Sequence, residues 1–598
     1  MYTWKPNTET INKTNLKKVM DEKSFDSYTD FWKWSVENRE AFWKLTIDQL
    51  DITFHKKYDS ILNLEKGVTN PKWLEGAELN IVDSCFKNDS NAIAIKYHDG
   101  ETLKKVTYGE LETLVNRVAN GLYDLGLQPH DTVAIDMPMT MKSVAIYLGI
   151  IKAGLKVATI ADSFAEDEIE IRLNITEPKL IFTQDFTKRG QKTHDLYKKL
   201  STVSKVQIVA VHLEGTTSFL RAGDLYWDQF LSSETTFNSL KCRPQRSITY
   251  LFSSGTTGTP KAIPWDHTTP IKCASDAFYH HNIQQGDVVC WPTNLGWMMG
   301  PWLVFASLIN NATIGLYYGV PMEKEFGKFL EESEVTMLGV IPSIVKSWKN
   351  TASLENYDLS KIKCFSSTGE VSNPEEMEYL MQLAGGKPII EYCGGTEIGG
   401  GYISSTLLQE NVPSTFSTPT LGTDFVLLDE NGKPSNEGEV FIIPPIMGLS
   451  NTLLNKDHYK TYYADTPEYK NQLRRHGDAL KLADGYYRIL GRTDDSMNIK
   501  GMKISSVAIE SVINALDFVN ESAAIAIAPE DGGPNRLIVY YVEQTKVDTF
   551  EALKQARAIV KEKLNPQFKI DEFIKLDALP RTASNKIKRK LLRENYSK

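Results

Sequence analysis

From about residue 80 onward, short β-prone runs alternate with helical stretches, and this rhythm restricts what the chain can fold into more than any other feature. Ala92–Tyr97 and Thr132–Asp136 read as strands, with a helix from Tyr108 to Leu125 between them and Gly126 as its stop. Met141–Gly154 reads as a second helix and Lys156–Ile160 as another strand. The same rhythm returns at 312–317, 335–341, 362–366 and 388–392. Strands separated by helices imply an α/β fold, layered, with parallel strands.

The two ends of the chain depart from this pattern. Residues 1–80 are rich in Trp, Phe, Lys and Glu, with spacing that suits amphipathic helices wrapped on a larger body. The last hundred residues read as a compact α+β unit: helix Val507–Leu516, strands Glu521–Ala528 and Arg536–Val542, helix Phe550–Leu564. A polar, glycine-led stretch, Gly491–Ser496, precedes it. A boundary at Asp494 is expected, giving a large domain of residues 1–493 and a small one of 494–598. Asp484-Gly485, between β-prone runs, reads as a hairpin turn.

A formal net charge of −9 excludes a global attraction to nucleic acid, so no nucleic-acid partner is expected. The basic run Lys586–Lys590 reads by itself as a solvated face. Six cysteines (85, 242, 273, 290, 364, 393) are scattered without a CxxC pair, which argues against a disulfide framework or a zinc site. The apolar stretch Ser143–Ile151 is far too short to span a bilayer. The first residues are not a secretory signal, and Tyr-Ser-Lys598 ends one residue short of a Ser-Lys-Leu address. A cytoplasmic location is expected. Nothing in the sequence indicates an oligomeric state.

Five segments carry chemistry. Tyr250–Lys261 is a strand (Ile248, Tyr250, Phe252 alternate) that breaks into Ser253, Ser254, Gly255, Thr256, Thr257, Gly258 and Lys261. Glycines let a backbone approach a ligand closely, and N–H groups, hydroxyls and an ammonium suit polyphosphate oxygens. The spacing is not that of a GxxxxGK[ST] loop, and such a composition alone would also suit a surface loop. Ser366–Glu370 follows a strand, and so does Glu391–Glu397. A carboxylate there would lie where open α/β sheets bind ligands. His476-Gly-Asp478, followed by Gly491-Arg492, and Leu579–Lys586 complete the set. Each has a plain structural alternative; their order and spacing do not.

Those five segments, in this order, resemble the adenylate-forming superfamily of acyl-CoA synthetases, peptide-synthetase adenylation domains and luciferases, over residues 80–598. Phe25–Tyr28, Trp34–Glu37 and Trp73–Asn80 are similar to the N-terminal region of acetyl-CoA and acetoacetyl-CoA synthetases. Glu391–Gly400 and Lys500–Ser506 resemble the peroxisomal acyl-activating enzymes of plants and their bacterial relatives. The resemblance implies a large adenylation domain, a small mobile lid, and the substrates ATP, coenzyme A and a carboxylic acid, with Mg²⁺. The acid attacks the α-phosphate, pyrophosphate leaves, and a thiol then displaces AMP. A carrier-loading adenylation enzyme, an acetyl- or acetoacetyl-CoA synthetase and a silent nucleotide-binding regulator are the alternatives.

By the same resemblance, Ser253–Gly258 and Lys261 would hold the β- and γ-phosphates. Gly369, Glu370 and Val371 would meet adenine, with Glu391, Tyr392 and Cys393 on the other side. Thr396 would contact the α-phosphate and Glu397 would coordinate Mg²⁺. Asp478 would accept from the ribose hydroxyls and Arg492 would clamp phosphate. Lys586 would bridge acid and α-phosphate, Asp494 would be the hinge and Gly501 would line the CoA channel. Departures are His476 for the usual Thr or Ser, Lys503 for Arg and Asn585 for Gly. The acyl pocket maps to Trp297, Met298, Met299, Thr368 and Gly394. Acetyl-CoA synthetases carry a Trp at the last of these, so an acid larger than acetate is expected.

Overall fold

The computed structural model describes residues 2–98, 102–190, 192–213, 219–253, 260–493, 496–499, 502–527, 535–564, 568–581 and 587–596. The chain divides into two compact units, Met1–Phe425 with Ile442–Arg474, and Val426–Phe441 with Arg475–Lys598.

After a five-residue helix, Thr8–Asn12, the first unit continues with helices α1 (Asn15–Glu22), α2 (Tyr28–Glu37) and α3 (Arg39–Gln49). Their aromatic residues explain the unusual composition of this stretch. Phe31 and Phe42 are fully buried, with their rings against Tyr279 of the main body. The helix Tyr108–Asp124 starts at a capping box between Thr107 and Glu110, which satisfies two backbone donors.

Two sheets form the centre. The strands in chain order are β1 (Ile93–His98), β2 (Leu103–Thr107), β3 (Thr132–Met137), β4 (Lys156–Ala161), β5 (Leu180–Gln184), β6 (Gln207–Val211), β7 (Leu225–Tyr226) and β8 (Ser247–Ser253). They continue with β9 (Lys261–Asp266), β10 (Val288–Cys290), β11 (Thr313–Tyr317), β12 (Met337–Val340), β13 (Cys364–Ser367), β14 (Ile389–Gly395), β15 (Gly400–Ser404) and β16 (Thr418–Pro419). One sheet has the order β7-β6-β5-β3-β4-β8-β9 and the other β16-β15-β14-β13-β12-β10-β11-β1-β2. All pairs are parallel except β8–β9 in the first and β1–β2, β14–β15 and β15–β16 in the second. The layered α/β fold expected from the rhythm is the fold observed. The strand expected at Ile248, Tyr250 and Phe252 is β8, in which Ile248 through Phe252 are all buried, so both of its faces are covered.

β17 (Arg474–Ala483), which enters the second unit at Arg475, and β18 (Tyr486–Arg492) form the hairpin expected at Asp484-Gly485. Both turn residues have positive φ, 54° and 81°, as a two-residue hairpin turn of this hand requires. Strands β19 (Val519–Ile527), β20 (Arg536–Glu543) and β21 (Ile570–Leu576) make a three-stranded sheet. Alternate residues serve its two faces: Leu537, Val539 and Tyr541 pack with the helices Ser506–Ile513 and Thr549–Lys563, and Ile538 and Tyr540 with Leu592. Among the described residues no helix is long and apolar enough to cross a membrane.

Candidate active site

The ends of β8 and β9 in one sheet meet the turn after β14 of the other, through Glu397. Its Oε1 accepts from Lys261 Nζ at 2.9 Å, from the Tyr462 hydroxyl at 3.0 Å and from Ser253 Oγ at 3.3 Å. Lys261 Nζ also donates to Tyr462 at 3.1 Å. The Arg474 guanidinium, wholly buried, lies 3.9 Å from the centre of the Tyr462 ring and donates to Ser450 Oγ at 3.2 Å. Burial alone would neutralise Glu397, but Lys261 and Arg474 hold its carboxyl well below the usual carboxylate range. The result is one fixed anion between two cations, a site with surplus positive charge.

Backbone positions are fixed as firmly. Trp265 Nε1 donates to the Thr396 carbonyl at 2.7 Å, and Ser450 N donates to the Glu397 carbonyl at 2.7 Å. Asn455 brackets the start of β9, accepting from Ala262 N at 3.0 Å and donating to Pro260 O at 2.9 Å. Of the expected phosphate loop, Ser253 and Lys261 are thus brought together with Glu397 and Thr396. Ser254, Gly255, Thr256, Thr257 and Gly258 lie outside the described residues.

After β13, Gly369 has φ 91°, a conformation that favours glycine, and turns the chain into Glu370. Glu370 accepts from Ser343 N at 2.9 Å and Ser343 Oγ at 3.1 Å, at the start of the helix Pro342–Thr351, while Val371 is exposed. Glu391 is buried, accepts from Ser372 Oγ at 2.8 Å, and is pushed up to about 7 by that burial against the opposing serines. Tyr392 is buried with its hydroxyl 2.6 Å from Asp276, so its backbone is what it can offer a ligand; Cys393 is half-buried.

The acyl-pocket residues fall on two segments. Trp297 sets its ring edgewise to Phe164 at 5.2 Å, Met299 is buried, and Met298 and Thr368 are half-buried. Gly394 has a different reason for being glycine than the missing indole suggested. A Cβ there would stand 1.8 Å from the Gly400 carbonyl oxygen, so the β14–β15 hairpin itself fills that direction.

In the second unit, Asp478 is buried with Oδ2 3.0 Å from His476 Nε2, and strand register sets Arg492 opposite Asp478. His476 therefore supplies a polar partner where Thr or Ser is common. Lys586, Asp494 and Gly501 lie outside the described residues. Among the described residues no group of three or more His, Cys, Asp or Glu could hold a metal ion. One carboxylate suffices for Mg²⁺ that also binds substrate phosphates, so Glu397 fits that ion in type. Sequence reasoning missed Tyr462 and Arg474. Tyr462 is far from every motif, and Arg474-Arg475 ahead of His476 looks like an exposed basic pair.

A family model described as AMP-binding enzyme matches residues 83–448, and one described as acetyl-coenzyme A synthetase N-terminus matches residues 28–85. A probable peroxisomal acyl-activating enzyme 17 of Arabidopsis thaliana is 42% identical, covering 99% of this chain and 88% of its own length. A hexanoyl-CoA synthase of Cannabis sativa is 41% identical with the same coverages. The solved acetoacetyl-CoA synthetase of Streptomyces lividans shares the fold, with a TM-score of 0.89 and 24% identity over 98% of this chain and 93% of that one. The resemblance carried by the five segments is thus matched along nearly the whole length, and the chain belongs to the AMP-binding enzyme family as an AMP-forming acyl-CoA synthetase, a ligase that forms a carbon–sulfur bond from a carboxylic acid and coenzyme A with ATP.

Proposed function

We propose that this synthetase activates a medium-chain carboxylic acid of about six carbons and that the reaction depends on Mg²⁺. The observation that carries the choice of acid is the 41% identity, over 99% of the chain, to a protein named hexanoyl-CoA synthase. Flexible methionines at 298 and 299 support it, because they adapt to an alkyl chain. The chemical difficulty is an anionic acid approaching an anionic triphosphate, so positioning and charge neutralisation dominate. Lys261, with the loop that begins at Ser253, neutralises the β- and γ-phosphates as pyrophosphate departs. Thr396 orients the α-phosphate, and Glu397 holds the divalent cation. When bound, Mg²⁺ supplies further neutralisation of phosphate charge.

Gly369, Glu370, Val371, Glu391, Tyr392 and Cys393 bound the adenine, Asp478 binds the ribose and Arg492 clamps phosphate. Lys586 carries the cation that couples acid and α-phosphate during adenylation. The part beyond Asp494 then rotates, withdrawing Lys586 and opening a thiol route past Gly501. The two Arabidopsis relatives are named peroxisomal, so the proposed cytoplasmic location is tested by imaging a fluorescent fusion.

The decisive measurement is pyrophosphate release with acids from two carbons to long chains, β-keto acids and aryl acids, with and without CoA. The expected kcat/KM peaks near hexanoate, at least tenfold above acetate, with CoA consumed stoichiometrically. Met299→Ala moves the peak to longer acids. A peak at acetate or acetoacetate refutes the choice of acid. Transfer to a carrier protein and not to CoA would refute the thiol.

A further inference from the structure

We infer that Asp276, paired with Lys272, is a positioning residue for adenylation: a buried ion pair that sets the hairpin carrying Thr396 and Glu397. Both lie on the helix Thr269–Tyr279, one turn apart, with Lys272 Nζ 2.6 Å from Asp276 Oδ1 and almost no exposure. Asp276 Oδ2 accepts from the Tyr392 hydroxyl at 2.6 Å, on β14, and from Gly401 N at 2.9 Å, on β15. One carboxylate oxygen thus holds both arms of the hairpin. Lys272 extends the grip, donating to Thr420 Oγ1 at 3.3 Å, which in turn donates to the Gly401 carbonyl at 2.8 Å.

The contact is close enough to require glycine. A Cβ on Gly400 would come within 2.4 Å of Asp276 Oδ2, one on Gly399 within 2.1 Å of Thr269 Cγ2, and one on Gly448 within 2.8 Å of Lys272 Cβ. Between the two arms run Thr396 and Glu397, whose carbonyls also accept from Trp265 Nε1 and Ser450 N, so the hairpin and these two donors together set them. A buried ion pair is a poor means of stabilising a core, since both charges give up water. Its evident yield here is geometric: two charges with fixed partners define one position of the hairpin, where apolar packing would tolerate several.

This inference rests on the roles proposed for Thr396 and Glu397, and the test separates the two. In the full-length chain, Lys272→Met/Asp276→Leu replaces the pair with apolar groups of similar size, a change that leaves stability level or raises it in comparable cases. Tyr392→Phe removes one hydroxyl and serves if the double variant does not fold. The measurements are single-turnover pyrophosphate release against Mg²⁺ concentration, thioester formation from supplied hexanoyl-AMP, and the gain in Tm on adding Mg²⁺ with a nonhydrolysable ATP analogue. Expected are adenylation at least tenfold slower in the double variant and at least threefold slower in Tyr392→Phe. In both, half-saturation moves to higher Mg²⁺ and the nucleotide-induced gain in Tm shrinks, and in the double variant thioester formation stays within twofold of the parent.

Parent-like adenylation and Mg²⁺ dependence in the folded variant overturns the inference. So does an equal loss of both half-reactions, which marks a purely structural pair. Glu397→Gln is run in parallel. If it too adenylates with an unchanged Mg²⁺ requirement, the proposed role of Glu397 falls and the inference with it; if it is defective while the pair variants are not, the inference alone falls.

Discussion

Asp136, near the end of β3, is wholly buried, and neither carboxylate oxygen has a partner among the described residues. Burial, the dominant cause, together with nearby Asp162, lifts it from 3.8 to about 7 against the pull of Lys199 and Arg189. The folded chain therefore holds a proton there that the unfolded chain releases near pH 4. Stability from this group is full below that value and is lost as pH rises toward 7. One pKa unit corresponds to about 1.4 kcal/mol, so the loss is on the order of a few kcal/mol. Asp136→Asn should remove it. In urea titrations the variant's advantage should grow from pH 4 to pH 7 and then level; a constant difference would show that Asp136 stays ionised. Glu391, also raised to about 7, adds to the parent profile and cancels in the comparison. At this scale Lys261, Thr396 and Glu397 were legible because short motifs carry them. Tyr462 and Arg474 were not: their roles depend on which distant segments meet, and a tyrosine or a doubled arginine has commoner uses.

At the scale of elements, the β14–β15 hairpin is where local pattern and packing diverge most. From sequence, the carboxylate after β14 read as part of a ligand site and Gly394 as space left by an indole. The structure gives that position a second constraint, since the backbone of Gly400 stands in the path of a side chain. A backbone oxygen cannot swing aside as a side chain can. Gly394→Ala should therefore destabilise the chain by about 1–3 kcal/mol, the range for overpacked cores, and lower adenylation with every acid alike. A denaturation midpoint and a four-acid activity panel check this; a stable variant with a shifted acid preference would mean the hairpin yields. Gly394→Trp, the graft from acetyl-CoA synthetases, disturbs the hairpin before it reports on acid length. The helices and strands named from the sequence were legible to within a few residues, because caps and turn residues such as Thr107 and Asp484-Gly485 punctuate them. How deeply a strand is buried was not, as β8 shows, because the layers that cover the two faces of a sheet come from remote sequence.

At the scale of the whole molecule, the proposed division of labour predicts a separable defect. Lys586→Ala should abolish acyl-adenylate formation, by a factor of at least a hundred in pyrophosphate release, while thioester formation from supplied acyl-AMP persists. Equal loss in both assays would contradict the role assigned to Lys586. The sequence's change of rhythm near residue 494 marks where α+β character begins. The compact units are drawn differently, because Val426–Phe441 returns from far upstream to join the second. The chain crosses between the units at 425/426, 441/442 and 474/475. Exchanging the entire second unit with a relative would thus need three splice points, each cutting inside a strand: Asp424–Leu428, Glu437–Ile443 and Arg474–Ala483. A cassette starting at Asp494 hangs from one peptide bond, so chimaeras that trade only the terminal hundred residues offer the simplest route to recombining the proposed adenylation lysine of one synthetase with the acid preference of another.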